Sequence, residues 1–180
     1  MAKVFSINDY SPKSSETYFL DTNVWLYLFC PIANHRDKEQ RIYSSFYKLL
    51  TQGDHSIFVN SLVASEFANA YLRIDFRLWK EETKNFNADY KRDFVRSNRF
   101  ISTVNQVKKS LRVILSKAHR MTDNFNAIEL DHVFSEFGRS DFNDSYYLEL
   151  SRMNNWKIVT HDADLFKSNQ LDVDVITGNR

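Results

Sequence analysis

The chain has one cysteine, three glycines and two prolines in 180 residues. A single cysteine excludes an internal disulfide framework and fits a reducing compartment. It sits in the apolar run WLYLFC (25–30), which marks Cys30 as a buried thiol rather than a nucleophile. So little glycine and proline argues against an all-β fold with many tight turns and for long helices. No stretch reaches the roughly 18 apolar residues that span a bilayer, and no signal-peptide pattern opens the chain. No membrane association and a cytoplasmic location are therefore expected. An excess of one charge is missing too: 24 Lys and Arg against 23 Asp and Glu leave a net +1. The strongly basic balance of many nucleic-acid binders is absent.

What is present is a core. Hydrophobic residues make up 43% and aromatics 15%, with 15 Phe and 9 Tyr, a composition that folds, and the length fits one domain. The charges are also segregated. Residues 84–117 are mostly basic and 123–144 mostly acidic. Two ordinary solvated helix faces account for this as well as a phosphate-holding face beside an acidic, metal-holding pocket does.

Along the chain, residues 1–16 are polar and irregular and are expected to form a flexible arm before a main domain over 17–180. Residues 17–21 form a β-branched and aromatic run ending in an acid, as a buried strand would. Thr22 or Asn23 can cap a buried helix over 24–29. An amphipathic helix over 37–50, closed by Gly53, leads to a strand over 57–60. Ser61 can cap a helix from 62 to about 74, with Val63, Phe67, Ala70 and Tyr71 on its buried stripe. The stretch 75–130 carries helical periodicity and no strand signal, as an inserted helical region. Ser140 can cap a helix over 141–155, followed by strands at 157–160 and 173–176. This order predicts an α/β protein with a central, mostly parallel twisted sheet.

In open parallel sheets the site lies beyond the carboxyl ends of the strands. Two strands end at acids, Asp21 and Asp162. Glu66 lies early in the helix after the second strand, and Asp144 in the first turn of the helix leading to the strand that ends at Asp162. Four carboxylates from distant stretches thus map to one edge of one sheet. Clustered carboxylates repel, and burying them needs a counter-charge. The donors are all oxygen, without zinc-like Cys or His spacing, so Mg2+ or Mn2+ is the expected cofactor. Phosphodiester hydrolysis is the chemistry such ions support.

The motifs that carry these acids resemble a known set. FLDTNVWLY (19–27) has hydrophobic residues followed by D-x-N, and LVASEFAN (62–69) has a Glu on an apolar helix. FNDSYYLEL (142–150) has N-D opening a helix, and KIVTHDADLF (157–166) is a strand ending in T-x-D. Together, in this order, they are similar to the four motifs of the PIN-domain family and of its VapC-like toxin ribonucleases. The resemblance implies a three-layer α/β/α PIN-like fold, and a metal held by Asp21, Glu66, Asp144 and Asp162. Asp141 and Asp164 are further candidate ligands, and Thr22, Asn23 and Thr160 would be supporting groups.

It also implies an endoribonuclease with an RNA substrate, the toxin of a toxin–antitoxin pair, with an antitoxin partner and a homodimeric state. Arg92, Arg96, Arg99, Lys108, Lys109 and Arg112 on the inserted helices would then grip the RNA backbone. A haloacid-dehalogenase-like phosphatase also begins with a strand ending in Asp, but it needs a second acid where this chain has Asn23. A non-catalytic RNA-binding or protein-interaction module on the same fold is the alternative in another class.

Overall fold

The apolar runs and amphipathic stretches resolve into one sheet and its covering helices in a computed structural model, which describes residues 3–33, 37–167 and 171–179. In chain order these are β1 (Val4–Ser6), β2 (Thr17–Leu20), α1 (Thr22–Phe29), α2 (Asp37–Gln52), β3 (Ser56–Val59) and α3 (Ser61–Glu82). A π-helical turn (Tyr90–Phe94), α4 (Asn98–Lys117), β4 (His119–Arg120) and α5 (Leu130–Glu136) follow. The chain closes with α6 (Phe142–Asn154), β5 (Lys157–Thr160), α7 (Ala163–Lys167) and β6 (Val175–Thr177). The strand order is β1-β6-β5-β2-β3-β4, and every pairing is parallel.

Parallel strands covered on both faces need apolar side chains at successive positions. In β2, Tyr18, Phe19 and Leu20 are all buried, as are Ile158, Val159 and Thr160 in β5. Successive side chains point to opposite faces. Tyr18 meets Phe46 of α2, with ring centroids 6.2 Å apart, whereas Phe19 meets Tyr147 of α6 at 5.1 Å. Helices therefore cover both faces, giving three layers. Phe19 and Phe58 are register partners, and Trp156 stacks against both at 6.0 and 4.6 Å. Asn155, in the left-handed conformation with φ 54°, ends α6 and turns the chain into β5.

Several boundaries correct the sequence expectations. The stretch expected as a flexible arm contains β1, an edge strand paired with β6, and the Ile7 amide donates to the Thr177 carbonyl at 2.9 Å. Glu16 further ties this segment down by accepting from the Tyr10 and Tyr18 hydroxyls and the Lys13 amide. Residues 1–2 lie outside the described residues. The region 75–130, expected to be wholly helical, contains β4, which pairs with β3. Helix α3 runs on to Glu82 instead of ending near 74, and the last strand is shifted to Val175–Thr177. The caps are Asp21 and Asn60, one residue before the expected Thr22 and Ser61, and Asp141, one residue after the expected Ser140. Within the 75–130 region, Phe94 of the π-turn is buried among the rings of Phe76, Trp79, Tyr90 and Phe100.

Candidate active site

Strands β2 and β5 are neighbours in register, with Leu20 opposite Val159, so the residues just past their ends meet. Asp21 and Asp162 leave those two ends. Helix α3 brings Glu66 and helix α6 brings Asp144 to the same edge. Asp21, Glu66, Asp144 and Asp162 line one open cleft of about 420 Å³, together with Asp141, Thr22 and Asn23. Leu26, Asn69 and Ala70 complete its wall.

Asp21 is the most enclosed of the four, only 5% exposed. As N-cap of α1, its Oδ1 accepts the Thr22 amide at 2.6 Å. Its Oδ2 accepts the Thr160 hydroxyl at 2.7 Å and the Asn23 amide. Burial raises its pKa to about 7, opposed by the Thr160 and Thr22 hydrogen bonds and reinforced by the negative charges of Glu66 and Asp162. Asp144 is pushed up to about 8 by burial and by the charges of Asp21, Asp141, Asp162 and Glu66. Two of the four acids thus resist ionising together, as carboxylates sharing one site do.

Glu66 is gripped from two elements. Oε2 accepts the Thr22 hydroxyl at 2.7 Å and the Tyr147 hydroxyl at 2.6 Å, and Oε1 accepts the Asn143 amide. Burial and the Glu66 charge raise the Tyr147 pKa, keeping its hydroxyl a proton donor. Asn23 has a second task, its Oδ1 accepting the His161 amide at 3.1 Å, which tethers the loop that carries Asp162. The Asp162 amide donates to Thr160 Oγ1 at 2.9 Å, and Asp162 Oδ1 accepts the Asp164 amide at 2.8 Å.

The structure brings Asp21, Glu66, Asp144 and Asp162 to the cleft, with Thr22, Asn23 and Thr160 bonded to them. Asp141 also lines it, but its Oδ1 accepts the Asp144 amide at 2.9 Å as the cap of α6. Asp164 is exposed and stands outside the lining. Asn143 and Tyr147 were not anticipated. They sit four residues apart on α6, one helical face, and that spacing beside Asp144 is the signal that could have exposed them.

Arg99 departs from its expected phosphate-binding role. Its guanidinium forms a fork to Asp75, which is 1% exposed, and reaches Glu82 at 3.3 Å. Arg92 pairs with its neighbour Asp93 at 3.0 Å, while Arg96, Lys108, Lys109 and Arg112 are exposed. Cys30 is buried and its thiol is pushed up to about 11 by that burial, as an inert core thiol would be.

The donor set of the cleft is oxygen throughout, which suits a hard divalent cation. Among the described residues, no three acidic, His or Cys side chains already stand close enough together to cage an ion. The carboxylates are instead turned onto hydroxyl and amide donors. The raised pKa values of Asp21 and Asp144 fit a site that becomes fully ionised only when a positive charge enters. A larger cleft of about 520 Å³ lies at the opposite edge of the sheet, near Lys3, Glu16 and Lys157. There Lys157 pairs with Asp174 and Glu16, so the charges neutralise one another. No helix among the described residues is long and apolar enough to cross a membrane.

Compared with known proteins, residues 18–170 match the family model described as PIN domain. No curated protein matches the chain significantly in sequence. Among solved structures, VapBC2 from Rickettsia felis, bound to a DNA fragment from its promoter, is similar with a TM-score of 0.55 and 16% identity. That likeness covers 89% of this chain and 98% of the other. PAE2754 from Pyrobaculum aerophilum aligns at 19% identity over 91% and 92% of the two chains, with a TM-score of 0.44.

Proposed function

The chain belongs to the PIN-domain family, whose members are generally nucleases, and we propose that it is an endoribonuclease that depends on Mg2+ or Mn2+. The observation that carries this is the convergence of Asp21, Glu66, Asp144 and Asp162 from four separate elements on one cleft. A bound divalent ion would supply the positive charge that offsets these carboxylates and the charge developing on the phosphoryl group. Asp21 would hold it from a buried position and Asp144 from a half-buried one, with Glu66 and Asp162 completing the ligand set.

The surrounding groups have defined tasks in this reading. Thr160 and Asn23 fix the Asp21 carboxylate, so that it does not swing on ion entry. Thr22, Tyr147 and Asn143 do the same for Glu66. Such supporting hydrogen bonds orient metal ligands. In keeping with the fold likeness to VapBC2, the proposal extends to a toxin role with a cognate antitoxin, and a homodimer is part of the same reading. Hydrolysis of RNA with Mg2+ or Mn2+, compared between the parent and Asp21→Asn, is the test. Loss of cleavage in the variant supports the reading. Equal cleavage in both overturns it, and an inert parent that gains no stability from Mn2+ points to a binding module.

A further inference from the structure

Strands β5 and β6 stay in register to their carboxyl ends, with Thr160 opposite Thr177. At the start of that pairing the Ile158 amide donates to the Asp174 carbonyl at 3.0 Å. Bonds in a parallel ladder are evenly spaced and recur every two residues on each strand. Continued to the end, this ladder would set the Gly178 amide on the Thr160 carbonyl. A side chain takes that place instead. The Gly178 amide donates to the Tyr43 hydroxyl at 3.0 Å, and that hydroxyl donates to the Thr160 carbonyl at 2.8 Å. Helix α2 thus supplies the last rung between two strands, at the end where the carboxylate cleft opens.

The hydroxyl is fixed from several sides. Tyr43 is only 1% exposed, and its ring stacks on Tyr27 of α1 at 5.3 Å. His161 stands edge-on to both rings, with Nδ1 3.1 Å from the Tyr43 hydroxyl. Burial pushes that hydroxyl up to about 12, and the Asp21 charge adds to the shift, so it remains a proton donor. Gly178 permits the close approach, since a Cβ there would meet the Tyr43 hydroxyl at 3.3 Å and Ile42 Cγ2 at 3.2 Å. Asn179 continues the grip, its Nδ2 donating to the His161 carbonyl at 2.9 Å.

Thr160, whose carbonyl Tyr43 holds, is also the residue that links two of the acids. Its hydroxyl donates to Asp21 Oδ2 and accepts the Asp162 amide. We propose that Tyr43 is a positioning residue of the cleft, setting Thr160 and through it the Asp21 carboxylate and the Asp162 turn for a divalent cation. The proposal deepens the metal-dependent reading above and rests on it for the ion. Partners that orient metal ligands tune the affinity of the site. A hydroxyl that only satisfied two buried backbone groups would matter to stability alone.

The test reads Mn2+ affinity of the full chain by electron paramagnetic resonance of the free ion, and stability by urea unfolding with a chelator. Tyr43→Phe keeps the stacked ring and removes the hydroxyl. Tyr18→Phe is the control, since it removes a buried hydroxyl bonded to Glu16 at 2.8 Å, at the other end of β2 from Asp21. Both variants should lose stability. Only Tyr43→Phe should weaken Mn2+ binding, by about 10- to 100-fold. Unchanged affinity in Tyr43→Phe, or an equal loss in Tyr18→Phe, overturns the proposal. Should Tyr43→Phe not fold, Gly178→Ala takes its place, because its methyl presses on the same hydroxyl. Weaker Mn2+ binding there supports the proposal and unchanged binding overturns it. A parent that binds no Mn2+ overturns the metal-dependent reading and the proposal with it. A parent and a Tyr43→Phe variant that bind Mn2+ equally leave that reading standing and remove Tyr43 from it.

Discussion

Replacing Asp21 with Asn should stabilise the metal-free protein at neutral pH, although the residue is buried and hydrogen-bonded. The carboxyl of Asp21 is raised from 3.8 to about 7. Three pH units at 1.36 kcal/mol each make ionisation in the folded state cost ~4 kcal/mol. The amide removes that cost and can keep its oxygen on the Thr22 amide, but it sets an N–H against the Asn23 amide that Oδ2 now accepts. Losing that side-chain hydrogen bond costs about 1 kcal/mol, so ionisation dominates and the variant gains on the order of 2–3 kcal/mol at pH 8. The sign follows from the direction of the shift. Below about pH 4 both folded and unfolded Asp21 keep the proton and the penalty is absent. As pH rises towards 7 the unfolded chain releases its proton while the folded one is held back, so the parent loses stability.

Urea unfolding with a chelator present measures this directly. The gap between Asp21→Asn and parent should widen by ~2–3 kcal/mol from pH 5 to pH 7 and then level off. Saturating Mn2+, at about 100 times its dissociation constant, should add ~2.7 kcal/mol to the parent and close the gap. A gap that is constant with pH, or a parent more stable than the variant at pH 8 without metal, refutes the electrostatic argument.

Three further outcomes follow from the same contacts. Thr22→Val and Tyr147→Phe each remove one hydroxyl from Glu66, and should lower Mn2+ affinity or cleavage about 10- to 100-fold with circular dichroism unchanged. Arg99→Ala strands the buried Asp75 carboxylate and should cost ~3–5 kcal/mol in urea unfolding, with cleavage per folded molecule retained; a large loss of RNA affinity instead would return Arg99 to a phosphate contact. Replacing Lys108, Lys109 and Arg112 together with Gln should flatten the salt dependence of single-strand binding by about 0.7 per lost phosphate contact, read from anisotropy titrations at several ionic strengths.

The parts of the fold that were legible in the sequence are those whose stabilisation is local in pattern. Strands β2, β3 and β5 are short apolar runs covered on both faces, and α2 carries a clean amphipathic stripe, so each was found to within a residue or two. Strand β1 was not, because a three-residue VFS run has no periodicity of its own. It exists through pairing with β6 at the other end of the chain. Strand β4 is two exposed polar residues, His119 and Arg120, and only its register with Phe58 and Val59 makes it a strand. Arg99 looked like one cation of a basic face, since its partner Asp75 lies 24 residues earlier on another helix.

The two acids at the start of α6 show the same divide between pattern and packing. Asp141 and Asp144 are three residues apart, and both line the cleft, so spacing leaves them equivalent. Their surroundings do not. Asp141 is exposed and spends an oxygen on the Asp144 amide, a bond any Ser or Asn cap could accept. Asp144 is half-buried among Asp21, Asp162, Glu66 and Asp141, and its carboxyl is raised to about 8. Without a ligand to hold, an acid in that position would destabilise the fold, and a neutral residue there would be favoured. That cost supports Asp144 as the ligand and Asp141 as the cap that fixes the turn presenting it.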